Sequence, residues 1–245
     1  LVVGEYSNGK KSGHWQRFAT GNLKEEGSYY NDNRTGTWYT YNIEQIEYGL
    51  KIVPAQNDNG FYKGILIAKT EYRNGMRNGK EFVYGYFDYY KEVCSEKDAK
   101  LHDFDSCTNR KFVRINLTSE YENDELNGSF ILKDSLGNII RQGTYLKGKR
   151  DGKWTEYYKD EDDKMKLEAT YINDNLDGAY VIFNDKDKIL TKGLFFNGKK
   201  LGIWSYYEPD GKIKEEYSYL NGELDGISKI YNDTGFVSVS YEYRH

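Results

Sequence analysis

The sequence is short of the residues that usually build a large core and of those that usually carry catalysis or bind metals. Its 245 residues include 2 Cys, 3 His, 2 Met and 2 Pro, and 38% are hydrophobic, below the share of about 45–50% in ordinary domains. No apolar run approaches the ~18 residues of a membrane-spanning helix, so no transmembrane segment is predicted. The net charge of −4 argues against general binding of nucleic acid or anionic lipid.

Tyrosine and glycine are abundant, at 25 residues each, and both belong to one motif that occurs eight times. Its form is small-x-Tyr-x-Asn-(Gly/Asp)-x-x-x-Gly-x-aromatic-x-x-aromatic. The tyrosine position is filled by Tyr6, Tyr29, Tyr72, Tyr121, Tyr145, Tyr171, Phe195 and Tyr219. A glycine follows seven residues later each time: Gly13, Gly36, Gly79, Gly128, Gly152, Gly178, Gly202 and Gly226. We predict one array over residues 1–245, with about eight units of ~24 residues and insertions at 43–63 and 85–118.

Each unit contains two short strands separated by a tight turn. Pairs such as Asn8-Gly9 and Asn31-Asp32 supply residues that tolerate a positive φ, as tight hairpin turns require. Between units lie second turns, for example Pro209-Asp210-Gly211. No helical periodicity is present. The predicted fold is therefore all-β, an elongated single twisted antiparallel sheet of tandem β-hairpins.

The spacing also predicts a register. If the second turn is centred near Gly21, Trp15 faces Gly27 and Gly13 faces Tyr29 across the hairpin. Facing residues project to the same side of a sheet, so each large ring is expected to lie over the small residue it faces. The column that contains Gly27 is small in seven of eight units: Gly4, Gly27, Thr70, Ser119, Gly143, Ala169, Gly193, and Tyr217 as the exception.

The unit Gly-x-Tyr-x-Asn-Gly-x-x-x-Gly-x-Trp-x-x-Tyr is almost intact at 4–18, 27–41 and 193–207. It resembles the MORN repeat (membrane occupation and recognition nexus), in particular the bacterial MORN-repeat-variant proteins described as antitoxin-like. The resemblance implies a sheet of hairpins with a binding or scaffolding role and no catalytic residues to carry over. A second resemblance, to cell-wall or choline-binding repeats, rests on Gly36-Thr37-Trp38-Tyr39. Those units are shorter and lack the Asn-Gly-x-x-x-Gly core.

No constellation in the sequence indicates an enzyme. His14, His102 and His245 are far apart, and the two cysteines fit no zinc spacing. The acidic segment 102–105 could hold a divalent ion, but a solvated loop is the commoner outcome for such a sequence. No phosphate-binding loop or nucleophile elbow is present. We therefore predict a noncatalytic protein without a metal or cofactor.

The cysteines bear on localisation. The predicted register makes 85–118 an elongated hairpin, with strands near 82–93 and 108–121, that brings Cys94 close to Cys107. A disulfide between them and two free thiols in a reducing cytosol are both compatible with the spacing. The chain begins with Leu1 rather than Met, which suggests a removed leader. Together these favour an extracytoplasmic location, the bacterial periplasm or cell surface, with the cytoplasm as the alternative.

Two surfaces are candidates for binding. The aromatic row, which lies three residues after the Trp15 position in each unit, is expected on the face opposite the tryptophans and comprises Phe18, Tyr41, Tyr84, Tyr157, Phe183, Tyr207 and Tyr231. Exposed, it would offer a stacking surface to a peptide or a sugar; alternatively, sheet twist and Lys and Glu stems cover it. The basic stripe, two residues before the repeat glycine, comprises Lys11, Arg34, Arg77, Arg150 and Lys200. It could meet phosphates, or it consists of solvated turn residues.

The composition and the repeat together predict a noncatalytic module that presents its sheet to a protein partner at the bacterial cell envelope. The alternatives are carbohydrate or cell-wall ligand binding through the aromatic row, and neutralisation of a toxin partner. Nucleic acid is not an expected partner. The first and last strands, at 2–6 and 236–243, are expected to leave open sheet edges through which the chain could self-associate.

Overall fold

The computed structural model describes residues 1–19, 21–42, 62–63, 65–88, 111–134, 136–159 and 164–244. Every helix or strand assigned within these ranges is a β-strand. The predicted all-β class and its antiparallel hairpins are therefore confirmed. The chain divides into two compact units, Leu1–Glu125 and Leu126–His245, which are described separately.

The first unit is a meander of long strands. They are β1 (Val2–Ser7), β2 (Lys10–Ala19), β3 (Asn22–Tyr30), β4 (Asn33–Asn42), β5 (Tyr62–Lys63), β6 (Ile65–Arg73), β7 (Met76–Asp88) and β8 (Lys111–Glu122). Strands β4 and β6 pair across the first insertion, and β7 and β8 pair across the second. The short strand β5 lies parallel to the start of β3, a pairing that the sequence did not predict.

The second unit repeats the hairpin more regularly. Its strands are β9 (Glu125–Lys133), β10 (Ile139–Leu146), β11 (Lys149–Tyr157), β12 (Met165–Ile172), β13 (Asn175–Phe183), β14 (Ile189–Phe196), β15 (Lys199–Tyr207), β16 (Ile213–Leu220), β17 (Glu223–Leu224), β18 (Gly226–Tyr231) and β19 (Val237–Tyr243). Both β17 and β18 pair with β16, because Asp225 interrupts the strand and its N–H donates to the Ser218 carbonyl.

The tight turns have the predicted backbone conformation. Asn8 and Gly9 have φ values of 50° and 75°, and Asn173 and Asp174 have 51° and 70°. Two successive residues with positive φ form the turn whose twist matches that of the flanking strands. Lys147-Gly148 adopts the same conformation, at 50° and 73°, although its lysine is not a typical turn residue.

The predicted register is confirmed, but the rings lie over different glycines. Trp15 pairs with Gly27, and Gly13 pairs with Tyr29. However, a Cβ on Gly27 would overlap the indole of Trp38, and a Cβ on Gly4 would overlap that of Trp15. Each tryptophan thus covers the glycine of the strand on its other side. The prediction that the Trp15 ring lies over Gly27 was wrong in this respect.

A β-bulge explains why each tryptophan lies over the glycine of that strand. Lys192 pairs with Ser205 and Leu194 with Leu201, so Gly193 alone lies opposite the three residues 202–204. The bulge displaces Trp204 towards β14, and its Nε1–H donates to the Leu194 carbonyl at 3.0 Å. Gly202, with φ of +68°, provides the left-handed conformation that begins the bulge. The indole therefore covers the glycine and donates a hydrogen bond to a backbone carbonyl of the neighbouring strand.

Within the residues that the structure describes, neither unit contains a large core. In the first unit, Phe18, Leu23 and Tyr41 form one buried cluster, against which Tyr39 and Leu66 pack. In the second, the buried cluster comprises Trp154, Ala169 and Tyr171. The shortage of aliphatic residues in the sequence corresponds to these small aromatic clusters.

The second insertion extends a hairpin as predicted, over the part that the structure describes. Glu81 pairs with Ser119, and the pairing continues to Asp88 and Lys111. The register shifts by one between Val83 and Tyr84, where Asn116 is the extra residue. Cys94 and Cys107 lie outside the described residues, as does the rest of the predicted hairpin, so their pairing stays a prediction.

Candidate functional site

The tryptophans lie on one face of each unit, which we call the tryptophan face. In the first unit, Tyr6, Trp15, Tyr29 and Trp38 contact one another edge to face, with successive ring centroids 5.1, 5.6 and 5.1 Å apart. This geometry is favourable for aromatic pairs. Trp15 and Trp38 are only 6% and 3% exposed, so their rings stabilise the sheet rather than offer a stacking surface.

Each cation of the basic stripe lies over aromatic rings of its own unit. Every cation of the stripe stacks on at least one ring of its own or the next repeat, at 4.0–5.4 Å from the centroid: Lys11 on Trp15 and Tyr29, Arg34 on Trp38 and Tyr72, Arg77 on Tyr121, Arg150 on Tyr171, and Lys200 on Trp204 and Tyr219. Cation–π contact of this kind is attractive. The stripe was interpreted from the sequence as phosphate-binding or simply solvated, and this ring contact was missed. The spacing of four residues between cation and tryptophan is the signal that could have indicated it.

Two stripe arginines also bind the aspartate of the next turn. Asp174 Oδ1 accepts from the backbone N–H of Arg150 at 2.9 Å and from its Nε at 3.0 Å. Asp124 accepts in the same way from Arg77, at 2.7 and 3.4 Å. These backbone and side-chain hydrogen bonds hold the pKa of Asp174 below its ordinary value.

The aromatic row is not an exposed surface. Phe18 and Tyr41 are 6% and 4% exposed, so for these two residues the covered alternative holds. The remaining members are half-buried: Tyr84, Tyr157, Phe183, Tyr207 and Tyr231. Ligand binding by those five stays a prediction.

Two tyrosines of the aromatic row donate hydrogen bonds to glutamates on a paired strand that precedes them in the chain. Tyr41 donates its hydroxyl to Glu26 at 2.5 Å, and Tyr231 donates to Glu216 at 2.7 Å. Burial and the Glu26 carboxylate raise the pKa of Tyr41 strongly. The hydrogen bond to Glu216, followed by burial, raises the pKa of Tyr231 to about 12. Both hydroxyls are thus already used within the sheet.

The second unit exposes apolar side chains on the face opposite its tryptophans. The apolar patch comprises Leu194, Phe196, Ile203, Leu220 and Ile227, which are 49–61% exposed. They lie on β14, β15, β16 and β18, which are paired neighbours. Because Ile203 precedes Trp204 and Leu194 follows Gly193, both point away from the indole.

Repeat-equivalent positions in the first unit are mostly polar. Where the second unit has Ile203 and Ile227, the first has His14, Thr37 and Lys80. Where the second has Phe196 and Leu220, the first has Ser7, Tyr30 and Arg73. The repeat fold therefore does not require apolar residues at these positions. Sequence reasoning missed the patch, although apolar residues at a repeat position that is polar elsewhere would have indicated it.

A pocket of about 250 Å³ lies on the tryptophan face of the first unit, with Lys11, Arg17, Glu25, Tyr29 and Arg34 in its lining. Glu25 is 14% exposed and contacts Arg17 Nε at 2.9 Å and Arg34 Nη2 at 3.0 Å. Burial alone would lower the pKa of Arg34, but Glu25 and Tyr29 raise it above its ordinary value. The pocket therefore holds three cations and one carboxylate.

The first and last strands leave sheet edges on which the sequence predicted self-association. Strand β1 is exposed along its whole length, and so is β19 except for its last residue. Each pairs with a single strand among the described residues; self-association through these edges stays a prediction. The acidic segment 102–105 lies outside the described ranges. In the part that is described, no helix is long and apolar enough to cross a membrane.

No protein-family model matches the chain, and no curated protein matches it.

Proposed function

We propose that the chain is a noncatalytic binding module that presents its second unit to a protein partner. The apolar patch is the observation that carries this proposal. Monomeric proteins rarely expose contiguous apolar patches larger than a few hundred Å², and larger patches usually mark binding sites. A large apolar side chain such as Phe196 also suits the centre of a protein interface. The patch is confined to one face of one unit, which favours a specific contact.

The composition around the patch supports a protein rather than a sugar as the ligand. Aliphatic side chains and one phenylalanine pack well against another protein, whereas sugars are bound by exposed aromatic rings together with polar groups. The resemblance to the MORN-variant family is compatible with this role, and a toxin is one such partner. An extracytoplasmic location remains part of the proposal.

The experiment exchanges patch residues for those that the chain itself carries at equivalent repeat positions. The triple variant Phe196→Arg, Ile203→Lys and Leu220→Glu introduces the residue types that occur at the equivalent positions Arg73, Lys80 and Glu122. In a pull-down from the native cell extract, the wild type should recover one stoichiometric protein and the triple variant should not. Both should melt at the same temperature, because the fold accepts these residues elsewhere.

Tyr30→Ser is the matched control, since Tyr30 is exposed, occupies the same repeat position as Phe196 and is serine in the first repeat, at Ser7. It should leave partner recovery unchanged. Equal recovery of the partner by the wild type and the triple variant would show that the patch does not bind it, and would contradict the proposal. Analytical ultracentrifugation of the same proteins would identify a second copy of the chain if that is the partner.

A further inference from the structure

The pocket on the tryptophan face of the first unit has more positive charge than its own carboxylate neutralises. Arg17 and Arg34 share Glu25, which forms an ion pair with Arg17 Nε at 2.9 Å and accepts two hydrogen bonds from a single nitrogen of Arg34. Each guanidinium carries five N–H donors, so most of these donors remain available. Lys11 adds a third cation at the same pocket.

Lys11 differs from the other four members of the basic stripe. Arg34 binds Glu25, Arg77 binds Asp124, Arg150 binds Asp174, and Lys200 Nζ donates to the Tyr206 hydroxyl at 2.8 Å. The Lys11 ammonium lies 5.0 Å from the Trp15 centroid and 4.9 Å from the Tyr29 centroid. Within the described part of the chain, it contacts no side-chain oxygen. Its three N–H donors therefore have no hydrogen-bond acceptor among the described residues.

The rings restrict where this ammonium can go. Two cation–π contacts hold it over Trp15 and Tyr29, and Arg34 is held over Trp38 at 4.0 Å. The cations are thus positioned before any ligand arrives, which lowers the entropic cost of binding. A volume of about 250 Å³ is slightly below the range of about 300–1,000 Å³ for drug-sized ligands. It suits a group of the size of an amino-acid side chain.

We infer that this pocket is a binding site for a carboxylate group, whose oxygens accept hydrogen bonds from Lys11 and Arg17 while its stem lies along Tyr29. The position of Glu25 shows that a planar carboxylate fits between the guanidinium groups of Arg17 and Arg34. The ligand is either a small free carboxylic acid or an acidic side chain of a peptide. The site lies in a different unit from the apolar patch and does not depend on the proposed protein partner.

The test uses blocked glutamate (N-acetyl-glutamate amide) and its glutamine counterpart as probes, with the full chain and tryptophan fluorescence and calorimetry as readouts. The glutamate probe should bind with a dissociation constant on the order of 1 mM and more weakly at high salt, because screening reduces charge attraction. The glutamine probe should not bind. Equal binding of the two probes, or no binding of either, would overturn the inference.

Three variants locate the site. Lys11→Met and Arg17→Gln should each weaken binding of the glutamate probe at least tenfold. Among the described residues Arg17 contacts no aromatic ring, so its loss should leave the ring row intact. Lys200→Met removes the equivalent cation of the second unit and should leave binding unchanged. An unchanged affinity in Arg17→Gln with a normal melting temperature would contradict the proposal.

Two further probes define the ligand. Tighter binding of an acidic peptide than of the blocked glutamate would indicate a peptide source, and equal binding would indicate a free acid; either supports the site. Inorganic phosphate is the competing anion. If it binds more tightly than the glutamate probe, carboxylate is the wrong ligand class.

Discussion

Each tryptophan of the repeat stabilises its sheet through three kinds of contact. The Trp204 indole covers Gly193, its N–H donates to the Leu194 carbonyl, and Lys200 lies over its ring at 4.3 Å. The ring thereby buries apolar surface, satisfies a backbone acceptor and fixes a cation. A glycine is required beneath the ring because a Cβ there would overlap the indole, not because the backbone has a positive φ.

Adding one methyl group beneath the ring should therefore be costly. Gly193→Ala should lower the free energy of unfolding by about 3 kcal/mol, because its Cβ would overlap the Trp204 ring. Gly198→Ala is the control: its Cβ would meet nothing within 4 Å, and its φ of +76° should cost about 1 kcal/mol. Urea unfolding measures both. Equal losses in the two variants would contradict a steric role for Gly193.

The tyrosine–glutamate pairs should make stability depend on alkaline pH. The pKa of Tyr231 is about 12 in the folded chain, above its ordinary 10.0, so its contribution is complete below pH 10 and is lost as the pH rises through about 12. The urea midpoint of the wild type should therefore fall over this interval, and Tyr231→Phe should fall less. Glu216→Gln should behave like Tyr231→Phe, because it removes the carboxylate partner. A fall in Tyr231→Phe as steep as that of the wild type would argue against the pair.

At the residue scale, the sequence predicted correctly which residues pair across strands, but not which neighbouring strand each tryptophan ring covers. Glycine and tryptophan spacing predicted that Trp15 pairs with Gly27, as it does. The bulge at Gly13 was not predicted, because the positive φ of a glycine can also belong to a simple turn. The sequence spacing alone does not determine which neighbouring strand an indole covers. Nor does it predict that Phe18 and Tyr41 are buried in one cluster with Leu23.

At the scale of the element, the tight turns join successive hairpins. The N–H of Asp174 donates to the Arg150 carbonyl at 2.9 Å, while its carboxylate accepts from the Arg150 N–H. The same exchange links Asp124 with Arg77. This explains why aspartate replaces glycine in these turns, despite a φ of about 70° at both aspartates: the carboxylate binds a donor that glycine cannot.

Asp174→Asn should test this contact without changing the turn, since asparagine also tolerates positive φ. At pH 7 the variant should lose at most ~1 kcal/mol of stability, because the pair is exposed and screened. The pKa of Asp174 is lowered from 3.8 in the folded chain, so its contribution is present above that pH and is lost as the pH falls through the folded pKa. The urea midpoints of wild type and variant should therefore converge in acid. A difference that persists well below pH 3.8 would point to another cause.

The hairpins themselves were predictable because each tight turn carries its own local signal. Asparagine followed by glycine or aspartate identified seven of them, and Lys147-Gly148 was missed because lysine lacks that preference. The parallel pairing of β5 with β3 lies beyond such reasoning. It depends on the path of the first insertion, which has no repeat to compare with.

At the scale of the whole molecule, the described strands of neither unit surround a central core. Contacts run from each strand to its immediate neighbours, and the buried clusters contain few residues. In repeat proteins of this kind, stability is approximately a sum of local and nearest-neighbour terms. The two units also differ in surface: the apolar patch is in the second and the cationic pocket in the first.

If stability is a sum of local and nearest-neighbour contributions, a local defect should destabilise only the few strands closest to it. Gly193→Ala should speed amide hydrogen exchange most in β14 and β15, less in β13 and β16, and not in β10 or β11, because the strain enters where Trp204 and Gly193 meet. Gly143→Ala should give the converse profile, with the largest effect in β10 and β11, since Gly143 lies beneath Trp154. Exchange measured by mass spectrometry on the full chain distinguishes the two. A uniform increase across all strands of the second unit in either variant would show that the unit unfolds as one cooperative body.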